Sequence, residues 1–224
     1  MKRIFTILFS LMLTVTLLAQ NDVTTFLGIP VDGTKTSFIQ KLKAKGFVTT
    51  SMSGTDLQGK FNGKDVYVIV QTNNNKVCRV VVTEKDKTRD ESDIRIRYNR
   101  LMDQFQANEK YVELIPNEEI DDDTDISYEM NVKNKRFQAE FYQKPTQMDE
   151  SDAEKAVSLQ DKAKKAQESG DYSAIGDLFA DAKGLLEKYF QKKLVWFMIT
   201  EVYGQYSLAI FYENGFNMAN GEDL

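Results

Sequence analysis

Asp121, Asp123 and Asp125 alternate along a short acidic stretch, the spacing at which calcium loops place their first carboxylate oxygens. Such a loop next needs a glycine for its sharp turn and a bidentate glutamate at its end. Ile126 and Val132 stand at those places, so the three carboxylates are a weak calcium candidate and a solvated acidic loop is the simpler reading. Cys78 is the single cysteine. Alone it makes neither an intramolecular disulfide nor a cysteine-cluster metal site, and with no base nearby in sequence it reads as a small core residue.

The chain contains no histidine. That removes Ser-His-Asp and Cys-His hydrolysis, imidazole acid–base catalysis and histidine metal ligation for this chain acting alone. No P-loop, no Gly-x-Gly-x-x-Gly and no Ser-x-x-Lys combination occurs either. The remaining enzymatic option is a pair of carboxylates flanking a glycosidic bond, and the 34 acidic residues single out no pair. No catalytic residue and no cofactor are assigned, and the chain is expected to be non-enzymatic.

Large aromatic side chains are the other groups with a chemistry of their own. Trp196, Phe197, Tyr203, Tyr206, Phe211, Tyr212 and Phe216 crowd into one C-terminal segment, and such groups anchor protein or carbohydrate contacts. Trp196, Tyr203, Tyr206 and Tyr212 are the candidate binding surface. Alternation sends Val195, Phe197 and Ile199 to one face of a strand and Trp196, Met198 and Thr200 to the other. Both faces are apolar, so core and binding surface stay open as alternatives.

The elements that must position these residues follow from patterning. Thr34 caps a helix over roughly 35 to 45, with Gly46 at its end. Leu57 to Phe61, the Asn62-Gly63 turn and the alternating Val66, Val68 and Val70 predict a hairpin, and Val77 to Thr83 a further strand. Ile94, Tyr98, Leu101 and Phe105 mark a second amphipathic helix. Tyr111 to Ile115 then reads as a strand, Pro116 to Thr124 as an acidic loop, and Ile126 to Val132 with Arg136 to Tyr142 as a hairpin. The order of the first unit thus repeats. Ala153 to Glu168 and Ser173 to Phe190, divided by Gly170-Asp171, predict an antiparallel helical hairpin. Leu194 to Tyr203 and Tyr206 to Tyr212 form a last hairpin whose apolarity suggests a central place in the second sheet.

At the start, Lys2 and Arg3 precede a mostly apolar run from Ile4 to Leu18, and Ala19 offers the small side chain that signal peptidase requires before Gln20. A leader cleaved between Ala19 and Gln20 is expected. The run is short for a membrane anchor, and no cysteine stands at the cut to carry lipid, so the mature chain is expected to have no integral membrane anchor. Loss of Lys2 and Arg3 moves the net charge from -5 to -7, which disfavours nucleic acid as a partner.

Phe26-Leu27-Gly28-Ile29-Pro30-Val31-Asp32-Gly33-Thr34, Lys45-Gly46-Phe47 and the terminal Asn220-Gly221-Glu222-Asp223-Leu224 resemble small exported Bacteroidetes proteins of uncharacterised function. The tandem arrangement resembles the β-lactamase-inhibitor-protein fold, and a single unit resembles small outer-membrane assembly lipoproteins. The inhibitor's disulfides and the lipoproteins' lipid-bearing cysteine have no counterpart here, so neither resemblance carries a site across.

The expected architecture is α+β: two tandem units of a helix packed on antiparallel sheet, with the helices on one face. A signal peptide spans 1–19, the first unit 20–88, and the second 89–224 with a helical hairpin at about 150–192. The expected function is that of a periplasmic or extracellular binding protein for an unknown protein or glycan of the cell envelope or exterior. The alternatives are a carboxylate-dependent glycan hydrolase and a structural envelope component.

Overall fold

The computed structural model describes residues 22–219 except 52, 53, 55, 115, 116, 147, 170 and 171. The leader with its expected cut at Ala19 and Gln20 lies outside the described residues, as do the Gly170-Asp171 separator and the terminal residues 220–224. A small hairpin of β1 (Thr25–Phe26) and β2 (Ile29–Pro30) comes first. Next are α1 (Lys35–Ala44), β3 (Val48–Thr49), β4 (Leu57–Phe61), β5 (Lys64–Asn73) and β6 (Lys76–Glu84). The second half comprises α2 (Glu91–Ala107), β7 (Tyr111–Val112), α3 (Ile126–Asn131), β8 (Gln138–Gln143), α4 (Glu150–Ser169), α5 (Tyr172–Tyr189), β9 (Leu194–Val202) and β10 (Gln205–Glu213).

The fold is α+β and antiparallel throughout. In both halves a helix precedes four strands of one sheet, whose order is β3-β4-β5-β6-β10-β9-β8-β7. The second four run in reverse order, so the last strand of each half meets its counterpart in the middle, with Val80 opposite Tyr212 and Val82 opposite Ile210. Four turns have both central residues at positive φ: Leu27-Gly28, Asn62-Gly63, Asn74-Asn75 and Tyr203-Gly204. This is the geometry whose twist matches that of the strands it joins.

The helices form because caps and stripes agree. The Thr34 hydroxyl accepts from the Ser37 amide at 3.3 Å, and Phe38 and Leu42, one turn apart, are both buried. At α2 the Asp90 carboxylate accepts from Ser92 and Asp93, and Glu91 and Asp93 suit the positive end of the helix dipole. Ile94, Tyr98, Leu101, Met102 and Phe105 then face the sheet. They meet Val195, Phe197 and Ile199 of β9, Leu208 and Ile210 of β10, and Phe141 of β8 in a single core. Phe105 stacks on Phe141 and Phe197, with centroids 4.9 and 5.6 Å apart. Truncating a ring such as Phe197 to alanine costs about 3–5 kcal/mol in a core of this kind.

Two expectations are corrected. Ile126 to Val132 is no strand: Ile126–Asn131 is α3, its N-terminus capped by Asp125 accepting from the Tyr128 amide at 2.8 Å. Glu91 of α2 also accepts from the Ile126 and Ser127 amides. Six residues alternate too briefly to separate a strand from one and a half helical turns, and a capping carboxylate plus a second acceptor settles it as helix. β8 pairs instead with β7 and β9. The second correction concerns layering. Ala156, Leu159 and Ala166 of α4 and Leu178, Ala182, Leu185 and Leu186 of α5 form a second core with Val112 and Tyr142. Phe141 belongs to the main core and Tyr142 to this one, so the helical hairpin lies against the opposite face, at the β7–β8 end of the sheet.

Cys78 occupies a bulge. Thr72 pairs with Val77 and Gln71 with Arg79, leaving Cys78 as the extra residue. It is buried, and burial pushes its thiol pKa up, opposed in part by the Arg79 charge.

Candidate binding surface on the open sheet face

The sheet face turned away from α1 and α2 carries side chains in cross-strand rows. Strand register places Glu140, Trp196, Phe211, Val81 and Ile69 side by side across five strands, β8, β9, β10, β6 and β5. The neighbouring row holds Gln138, Met198, Ala209, Thr83, Tyr67 and Gln58. On the other side lie Glu213, Arg79 and Gln71. Among the described residues, Trp196, Met198, Phe211, Ile69 and Tyr67 join neither core and are half-buried. The apolar middle is therefore flanked by Glu140, Gln138, Gln71 and Gln58, the pattern of a contact surface with an apolar centre and polar rim.

A polar clasp fixes the middle of this face. Trp196 Nε1 donates to Glu213 Oε1 at 2.7 Å, and Arg79 Nη2 lies 2.8 Å from the same oxygen. The Trp196 and Phe211 rings stack with centroids 3.9 Å apart and planes 6° from parallel, and the Arg79 guanidinium sits 5.8 Å from the Phe211 centroid. The two rings thus form a stack, and one buried carboxylate ties the indole to the neighbouring guanidinium. At the next strand, Lys85 Nζ lies 4.6 Å from the Tyr67 centroid and donates to Gln58 Oε1 at 2.7 Å.

The four aromatic residues singled out in the sequence go to three places. Trp196 is on the open face. Tyr203 projects from the β9–β10 turn, 94% exposed and at φ +55°, a left-handed conformation costly for a bulky side chain. Tyr206 and Tyr212 point the other way, 4% and 3% exposed, and belong to the core beneath the helices. The Tyr212 phenol is hydrogen-bonded to Tyr111, and burial drives its pKa well above the usual tyrosine range. The surface is completed by Phe211 and Met198 and by residues from the first half of the chain, Tyr67, Ile69, Val81 and Arg79. Their signal was the apolar character of the off-beat positions in strands whose on-beat valines already supply a core face.

The acidic loop holds no metal cluster. Asp125 is committed to capping α3, and Asp122, not its flanking neighbours, lies 3.3 Å from Arg95. Among the described residues no three carboxylate, thiol or imidazole groups gather to hold a metal, so Asp121, Asp123 and Asp125 do not converge as a calcium site. Two cavities of about 160 and 270 Å³ lie between the β4–β5 turn and α2. Their one carboxylate, Glu84, is bonded to Arg97, so they offer no carboxylate pair for glycoside hydrolysis.

Fold and surface together define an α+β protein with one antiparallel sheet, roofed by helices on one face and largely open on the other. No family model, curated protein or solved structure matches the chain. No described helix is long and apolar enough to cross a membrane.

Proposed function

We propose that this is an exported, non-enzymatic binding protein that docks a protein partner on the open face of its sheet. The observation that carries the reading is the stacked Trp196–Phe211 pair, with Arg79 beside it, at the centre of an apolar row left outside both cores. A protein partner suits it better than a glycan. Sugar rings need the flat face of an aromatic ring; here Trp196 and Phe211 each give one face to the other, and the Arg79 guanidinium sits close to Phe211. The upstanding ring edges, with Met198 and Ile69 beside them, fit aliphatic and aromatic side chains. The charged and apolar segments before Ala19 support export, with Gln20 as the first residue of the product.

The test is comparative capture from the envelope and culture supernatant of the producing cells. Wild type, Trp196→Ala with Ile69→Lys, and a control changed on α1 at exposed Lys41 are used as baits. A partner retained by wild type and control but lost with the open-face variant supports the reading. Identical captures with all three baits would sink it. Terminal sequencing of the exported product checks the cut before Gln20.

A further inference from the structure

On the helix side a cleft separates the β4–β5 turn from α2. The two cavities described above share Phe61, Asn62, Leu101 and Gln104, so they are two ends of one groove. Two of the shared residues form a strap: Asn62 Nδ2 donates to Gln104 Oε1 at 2.7 Å between two exposed side chains. An exposed amide pair of this kind exchanges readily with water and opens at small cost. Joined, the two ends reach the lower part of the ~300–1,000 Å³ range of ligand pockets.

The ends differ in chemistry. The larger is aromatic, walled by Phe61, Phe105, Tyr111 and Tyr212 with Leu27 at its lip. Leu27 is held there at φ +51° in the β1–β2 turn, a strained conformation for leucine. The smaller end has an apolar floor of Val66, Val82, Leu208 and Ile210, and Lys64 and Arg100 at its rim. Lys60 stands at the rim of the larger. Four cationic side chains and one carboxylate line the groove. That carboxylate, Glu84, is already bonded to Arg97. Lys60, Lys64 and Arg100 are exposed and have no ion-pair partner among the described residues, in a chain whose net charge is -5. Unpaired cations concentrated over an apolar slot, on an otherwise acidic protein, attract an anion that brings an apolar body.

We infer that this groove binds an alkyl carboxylate, with its head between Lys64 and Arg100 and its tail passing under the Asn62–Gln104 strap into the aromatic end. Arg100 offers the planar fork that matches a carboxylate. The site lies on the face of the sheet opposite Trp196, so it stands apart from the surface proposed for a protein partner.

Calorimetric titration of the full mature chain with decanoate tests the assignment, with 1-decanol as the neutral control. Decanoate is expected to bind saturably at one site, and decanol about tenfold more weakly or worse. Lys64→Glu with Arg100→Glu is expected to bring decanoate down to the decanol level. Both residues are exposed, and an unchanged circular dichroism spectrum confirms that the fold is kept. Trp196 is the one tryptophan of the chain, so its emission stays constant while the groove fills. The assignment is overturned by absence of saturable binding, by equal affinity for decanoate and decanol, by full affinity in the double variant, or by a decanoate-dependent shift of Trp196 emission, which would place the ligand on the open face.

Discussion

The indole nitrogen of Trp196 donates to Glu213 Oε1 at 2.7 Å, across the hairpin that forms one side of the sheet centre. Because Arg79 Nη2 shares that oxygen, one buried carboxylate serves an indole N–H and one nitrogen of a guanidinium at once. Glu213→Ala leaves both without an acceptor and is expected to cost about 2–3 kcal/mol, since each buried group left unsatisfied costs ~1–3. Glu213→Gln keeps an acceptor oxygen for the indole and loses the charge, so about half that loss is expected. Urea denaturation gives the stability change, and Trp196 emission reports whether the clasp has opened.

Gly59 tests the packing of the first half. A Cβ built there would lie 2.6 Å from Cδ1 of Phe47, a buried ring whose edge meets Phe26. Gly59→Ala is expected to destabilise by about 1–3 kcal/mol through overpacking. Shortening the ring with Phe47→Leu in the same chain should recover part of that loss, measured by the same denaturation.

Lys193 is 2% exposed, and its ammonium donates to Asp22 Oδ1 at 2.6 Å and to the Lys144 carbonyl at 3.0 Å. Asp22→Ala strands a buried cation and is expected to cost about 3 kcal/mol, whereas Asp22→Leu with Lys193→Met should be close to neutral. Desolvation lowers the Lys193 pKa, with Asp22 opposing it. A lysine depressed in the folded state is penalised while charged. Stability therefore rises with pH between its folded pKa and the ordinary lysine value, and Asp22→Ala should steepen that rise in melts across the alkaline range.

The helical hairpin has an acid-sensitive latch. Lys188 Nζ lies 2.5 Å from Asp149 and 2.7 Å from Asp152, and the Tyr189 phenol donates to Asp152 at 2.8 Å. Hydrogen bonds from Lys188 and then Tyr189 hold both carboxyls below their ordinary pKa. The stabilisation is present above the ordinary carboxylate value of about 3.9 and is lost as pH falls through the depressed values. Lys188 shifts upward, so the latch is intact through neutral pH. Hydrogen exchange at the Asp149 amide, which donates to the Tyr189 phenol at 3.0 Å, should quicken in strong acid beyond its intrinsic trend, and Lys188→Ala should remove that acid step.

Much of this architecture was legible because local signals agreed. Thr34 and Asp90 mark helix starts, and Asn62-Gly63 with the period-two valines of β5 defines the β4–β5 hairpin without tertiary help. The segment 126–132 misled because Ile126, Tyr128, Met130 and Val132 alternate like a strand. The overriding signal was Asp125, a helix cap directly before it. In β10, Tyr206, Leu208, Ile210 and Tyr212 share a face by parity, yet parity alone does not say which face the helices cover. Tyr206 and Tyr212 therefore fell into the candidate surface, and Arg79, Ile69 and Tyr67 escaped it, because strand order brings them beside Trp196 from more than a hundred residues away.

The mirrored strand order also sets a timetable. β10 follows every other described strand yet stands between β6 and β9, so the middle of the sheet closes only after those strands have been made. Until then β6 has a bare edge and the two halves have no seam. Non-local pairing of this kind is slow to form. A chain built this way leaves the β6 edge open until its last described strand has been made.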